Sequence, residues 1–254
     1  MPMHLRIWIP VAILATLAAC GTSHPTPAEE RSPRPVSAAQ ALTGFAASAM
    51  DASFTATYEW SEGGEVTVWR AMDRTWRVDV QGWAHGGEVD VTVAWTAEGF
   101  FQCAQDECVR LAGITGEIPR RFDPLVQRPF TEWLPVLLDR QTPFAVSYTD
   151  DEVEAAQEAQ CFRLTPNTVV VEPPIPPGRW CLSPSGEVAS VSNAQVGTLT
   201  LAEEPRAAVG SVRLPGEIVE GEALGRSAPE PEADEEEEED DESGERDSSG
   251  AENE

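Results

Sequence analysis

An α+β fold built on one large antiparallel β-sheet is what this sequence predicts, and three observations predict it. Between residues 54 and 111 apolar side chains recur with a period of two in one short run after another, the pattern of consecutive strands with one buried face. Around 38–49 and 130–138 the period changes to that of a helix. Period-two runs then resume between 161 and 201, which puts the helices on the apolar side of the sheet.

The first helix starts at Ser37-Ala38-Ala39-Gln40, a capping-box pattern, and continues through Leu42, Phe45, Ala46 and Ala49 at helical spacing. Gly44 weakens it modestly. Phe54, Ala56, Tyr58 and Trp60 then fall on one strand face, with Thr55, Thr57 and Glu59 on the other. Glu62-Gly63-Gly64 supplies a turn, after which Val66 and Val68 alternate with Thr67 and Trp69. A strand follows from Trp76 through Val78 to Val80, then a loop from Gly82 to Gly87, then Val89, Val91, Val93 and Trp95 in alternation. Phe100 to Cys103 returns through Cys108 to Leu111.

Phe130, Trp133, Leu134, Leu137 and Leu138 form an apolar stripe at helical spacing. Pro135 fits if that helix starts near Thr131 or is kinked there. Residues 150–160 read equally as helix or loop. Later strands are expected at Cys161–Leu164, Arg179–Leu182, Glu187–Val191 and Gly197–Leu201, with a last extended piece near Ser211–Leu214 and a loop at Pro173–Pro177.

The amino terminus carries an address. Arg6 precedes an apolar run from Ile7 to Ala15, short of the roughly 20 residues a membrane span needs and suited to a signal-peptide core. Leu17-Ala18-Ala19-Cys20-Gly21 follows. It resembles the bacterial lipobox, in which the cysteine is acylated and becomes the first residue of the mature chain. The resemblance implies a signal peptide over 1–19, lipidation at Cys20, and a cell-membrane anchor holding the rest outside the cytoplasm. Residues 20–37 contain four prolines among small polar residues and read as an extended tether. The folded domain is expected over 38–221.

The formal net charge is -27, and all 17 basic residues are arginine. That balance excludes nucleic acid as a partner, because phosphate binding needs a cationic face. It also opposes adhesion of the protein body to anionic headgroups. Fifteen of the 44 acidic residues lie in 228–254, and the run from Asp234 to Glu242 has no apolar member. Residues 222–254 therefore read as a disordered acidic tail, either merely solvated or serving weak cation binding or docking on a basic partner such as an envelope protein or cell-wall component.

With Cys20 set aside, four cysteines remain, an even number for an exported chain. Cys103 and Cys108 flank four residues between two strand-like runs, so a hairpin would bring them to disulfide distance. Cys161 and Cys181 are left to pair with each other. A zinc site or a redox dithiol is the alternative, and neither has its usual Cys-x-x-Cys spacing here. No cofactor, metal or catalytic motif stands out, and His85, the one histidine in the expected domain, sits in a glycine-flanked loop. The chain reads as a non-enzyme.

The order helix, strand meander, amphipathic helix, further strands, behind a lipobox, resembles the half-barrel lipoproteins. These are similar in fold to the outer-membrane lipoprotein carrier and include lipid-carrying lipoproteins of mycobacteria. The residues that carry the resemblance are Phe54-Thr55-Ala56-Thr57-Tyr58, Trp76-Arg77-Val78-Asp79-Val80, the Phe101 to Cys108 hairpin and the strands from Trp180 to Leu201. It implies a curved sheet whose concave face, covered by helices, holds lipid acyl chains. On the sheet the lining would be Phe54, Tyr58, Trp60, Val66, Val68 and Trp76, continued by Val78, Val91, Val93 and Trp95. Trp133, Leu137 and Leu138 would face them from the helix. The same side chains also suit a dry, filled core, and an acidic, tethered interaction or sensor module is then the alternative function. The two differ in whether a hydrophobic void of several hundred Å³ is present.

Overall fold

The structure is a computed structural model and describes residues 36–112, 118–119, 123–139, 143–167 and 173–223. The expected signal peptide, Cys20, nearly all of the expected tether, and the acidic segment from 224 onward lie outside these residues. The chain divides into Met1–Val36, of which only Val36 is described, and Ser37–Glu254.

Helix α1 spans Ala38–Asp51 with the expected capping box. The Gln40 N–H donates to Ser37 Oγ at 3.3 Å, and the Ser37 N–H donates to Gln40 Oε1 at 3.2 Å. Ala38, Leu42, Ala46 and Ala49 are its buried stripe. Six strands follow in an antiparallel meander: β1 (Phe54–Trp60), β2 (Glu65–Arg70), β3 (Trp76–Ala84), β4 (Val89–Thr96), β5 (Gly99–Ala104) and β6 (Glu107–Leu111). A 3₁₀ turn at Arg128–Phe130 leads into helix α2, Trp133–Leu138. Pro135 falls in the first turn of α2, where its missing N–H would have had no intrahelical partner.

A second antiparallel meander runs β7 (Phe144–Thr149), β8 (Gln160–Pro166), β9 (Gly178–Leu182), β10 (Val188–Asn193) and β11 (Gly197–Leu201). Strands β11 and β1 pair antiparallel, Tyr58 opposite Leu201 and Trp60 opposite Leu199, and so fuse the two meanders. β12 (Arg206–Ala207) pairs with the start of β1, and β13 (Glu217–Val219) lies parallel to β6. The sheet reads β13-β6-β5-β4-β3-β2-β1-β11-β10-β9-β8-β7.

The fold is thus mostly β, with 13 strands, a largely antiparallel sheet and two helices. The curl of a half-barrel is not seen, because the sheet is open and not strongly curled. The packing gives the reason. The helical layer forms one core with β1–β3 and β7–β11, whereas the apolar side chains of β4–β6 belong to small separate clusters. No single concave surface closes around the helices.

Some local expectations change as well. Gly82 to Ala84 belong to β3, which bulges between Val80 and Ala84 where a loop was expected. Residues 150–159 hold only a 3₁₀ turn at Glu154–Ala156, and Gln160 already begins β8. The 211–214 piece pairs with no strand; the paired segments are β12 and β13 on either side of it. Strand β7 was missed, although Phe144, Val146 and Tyr148 alternate; Pro143 and the acidic run after Thr149 mask so short a signal.

Candidate functional site

The space between sheet and helices is the best-defined apolar feature of the molecule. Antiparallel register puts Phe54, Ala56 and Tyr58 of β1 on one face with Val66 and Val68 of β2 and Val78 and Val80 of β3. Leu199, Leu201, Trp180 and Phe162 extend that face through β11, β9 and β8. Phe130, Trp133, Leu134 and Leu137 cover it from above. Tyr58 and Phe130 have ring centroids 5.0 Å apart, and Trp133 meets Trp180 edge-on at 6.1 Å. Each such pair contributes about 0.5–1.5 kcal/mol beyond the area it buries.

Three polar atoms are enclosed in this layer without a partner: the Tyr58 hydroxyl, the Trp180 Nε1–H and the Gln127 Oε1. Gln127 does use its other end, donating from Nε2 to Asp123 Oδ1 at 3.1 Å. Trp60 shows the usual arrangement, its Nε1–H donating to the Val196 carbonyl at 2.6 Å. An unsatisfied buried donor costs about 1–3 kcal/mol. Burial, helped by the charge of Glu187, raises the Tyr58 pKa well above that of an ordinary phenol, so the ring keeps its proton. The layer therefore offers two neutral donors, Tyr58 and Trp180, to any acceptor that enters it.

Two openings flank the layer. At the C-terminal end of α1, Arg70 reaches across from β2 and donates to the Ala49 and Met50 carbonyls, the latter at 2.9 Å. α1 has no basic residue in its own last turn, so the sheet supplies the cation that favours a helix C-terminus. Burial lowers the Arg70 pKa below its usual value, opposed by Tyr58 and Asp51. Beside it is a pocket of about 610 Å³ with Met50, Met72, Trp76, Phe130 and Leu134 on its walls and Arg74 and Glu132 at its polar side. Burial raises the Glu132 pKa, and Arg128 partly offsets that. At the other end of α1 a cleft of about 160 Å³ opens between Leu42, Leu137, Phe144, Val146 and Leu164.

Of the expected lining, Phe54, Tyr58, Trp60, Val66, Val68, Val78, Trp133 and Leu137 sit in the one buried cluster, with Trp76 and Leu138 packed on its margin. Val91 and Val93 are buried in other clusters, and Trp95 is 40 % exposed. Those three lie on β4, beyond the reach of the helical layer. Trp180 and Gln127 were missed. A lone Trp in a short strand gives no sign of which helix it faces, and Gln127 lies outside any periodic run.

Both expected disulfides are present, and each joins residues directly opposite in the register: Cys103 with Cys108 and Cys161 with Cys181, every Cα pair 4.0 Å apart. They point to an oxidising, extracytoplasmic compartment. His85 is exposed in a turn after β3 with φ 52°. Among the described residues no three His, Cys, Asp or Glu side chains converge as metal ligands would, and no helix is long and apolar enough to cross a membrane.

Compared with family models, with curated proteins and with solved structures, the chain matches none.

Proposed function

We propose that this is a non-catalytic lipoprotein, anchored through Cys20 outside the cytoplasm, that takes an acyl-ester lipid between its sheet and its α1–α2 layer. On this reading the fold is a flattened relative of the half-barrel carriers, and the Arg70 pocket is the way in. The observation that carries the proposal is the pair of buried donors, Tyr58 OH and Trp180 Nε1–H, left without acceptors in an apolar layer. Ester carbonyls have the acceptor chemistry those donors lack, and the aliphatic chain matches the walls around them. Separation of the α2 segment from the sheet would make the volume needed. Support for that step comes from the brevity of α2, six residues with no side-chain cap.

The test is gentle purification of the mature protein followed by extraction and mass spectrometry of bound lipid, with Tyr58→Phe and Trp180→Phe alongside. Acyl-ester lipid recovered from the parent and depleted in both variants is the expected result. A parent free of lipid that also fails to bind a fluorescent diacylglycerol would end the proposal.

A further inference from the structure

Strand β7 ends the sheet, and among the described residues no strand pairs with its outer edge. The opposite end is β13, only three residues long and opening on a charged side chain, Glu217; it lies along β6, and the Glu217 N–H donates to the Asp106 carbonyl at 2.9 Å. β7 reads Phe144-Ala145-Val146-Ser147-Tyr148-Thr149, with none of the charges, prolines or bulges that usually blunt an edge. The Asn167 N–H donates to the Pro143 carbonyl at 3.0 Å, and the register continues Phe144 to Pro166 and Ala145 to Thr165. Because bonded pairs alternate along an antiparallel ladder, Ala145 and Ser147 exchange bonds with β8. The backbone N–H and C=O of Phe144 and Val146 therefore point out of the sheet.

Their side chains point into the small cleft against α1, where Leu42, Leu137 and Leu164 complete an apolar seat of about 160 Å³. Asp139 stands at the lip of that cleft, and Asp150 and Glu152 are exposed just past the other end of the strand. An uncharged edge is thus bracketed by carboxylates. We propose that β7 accepts an extended segment of a partner protein as an added strand, with an apolar side chain in the cleft and basic residues at both ends. Main-chain bonds would give affinity, and the cleft and the flanking carboxylates would give specificity. Charge decides against a second copy as the occupant, since it would bring another body of the same strong negative charge to an acidic rim.

The experiment measures fluorescence anisotropy of a labelled synthetic peptide, arginine at each end and alternating valine and threonine between, against the full mature chain. A second peptide carries glutamate at its ends. The arginine peptide is expected to bind at least about tenfold more tightly, a preference that shrinks with added salt. Val146→Pro removes one outward N–H while leaving the β8 ladder intact, and should weaken binding by about tenfold or more with an unchanged circular dichroism spectrum. Thr43→Phe, which fills the cleft from the α1 side, should do the same and decides the matter if the proline variant fails to fold. Absence of binding, equal binding of the two peptides, or binding unchanged in a folded variant would overturn the proposal. So would a concentration-dependent dimer that Val146→Pro abolishes, because the edge would then belong to a second copy.

Discussion

Under α1 and α2 the inner face of β1–β3 and β7–β11 is buried by a second layer of side chains, while one extended stretch, residues 209–215, is bonded to the β2–β3 turn and β3 and reaches the outer face of β5–β6 through Leu214. That stretch is pinned by backbone groups: Met72 N–H to the Val209 carbonyl at 3.0 Å, Asp73 N–H to Gly210 at 3.2 Å, and Val212 N–H to Thr75 Oγ1 at 3.0 Å. Arg77 Nη1 donates to the Arg213 carbonyl at 2.9 Å, and Leu214 lies over Phe101 and the Cys103–Cys108 bridge. The helix-covered half gains its stability from packed aromatic area and contains polar groups it does not satisfy. The strapped half has only small clusters of buried side chains and ends in the three-residue strand β13. The binding proposals both draw on the first arrangement, which contains the Tyr58 and Trp180 donors and the six-residue edge strand β7.

The contrast breaks most sharply under core truncation. Trp133→Ala should cost about 3–5 kcal/mol in chemical denaturation, whereas Leu214→Ala on the half-exposed strap should cost about 1 kcal/mol. Equal losses would mean that the two halves are packed alike. The disulfides come next. Replacing Cys161 and Cys181 by alanine opens a 20-residue separation and should cost about 3 kcal/mol, against about 2 kcal/mol for Cys103 and Cys108, five apart. Melting of the two double variants separates these values. Arg70→Met keeps most of the stem but withdraws the cation from the end of α1, with an expected loss of about 1–2 kcal/mol. Amide exchange should then rise in α1 and not in the strap.

The smallest effect is in pH dependence, and its sign differs between the start of α2 and the turn that anchors the strap. Glu132, the residue that opens α2, binds its proton more tightly when folded, because burial raises its pKa. Its contribution is present below the ordinary carboxylate pKa and is lost as pH rises through the raised value. Asp73, in the turn that anchors the strap, has its pKa lowered, first by the Thr75 hydroxyl at 2.6 Å and then by the Thr75 N–H. Its contribution is present above the ordinary value and is lost as pH falls through the lowered one. Glu132→Gln should thus flatten the decline of stability above the ordinary carboxylate range, and Asp73→Asn the decline below it. Matching slopes in both variants would remove the assignment.

Much of the first meander was legible because each strand is amphipathic by itself. Phe54 to Trp60 was read to the residue, and the Ser37–Gln40 box marked the start of α1 correctly. The site was legible only in part. Tyr58 and Trp133 were found through the periodicity of their own elements, but Trp95, with the same alternation as Val93, lies 40 % exposed because the helices do not reach it.

Helix α1, most strands of the first meander, the Cys103–Cys108 hairpin and the sign of the net charge were settled by residues near one another in the chain or by composition. Which strands share a helical roof, how the β1–β11 pairing joins the meanders, which donors lose their acceptors and which strands end the sheet were settled by tertiary structure alone. Alternation tells a side chain which face of its strand to occupy. Only long-range packing decides what, if anything, covers that face.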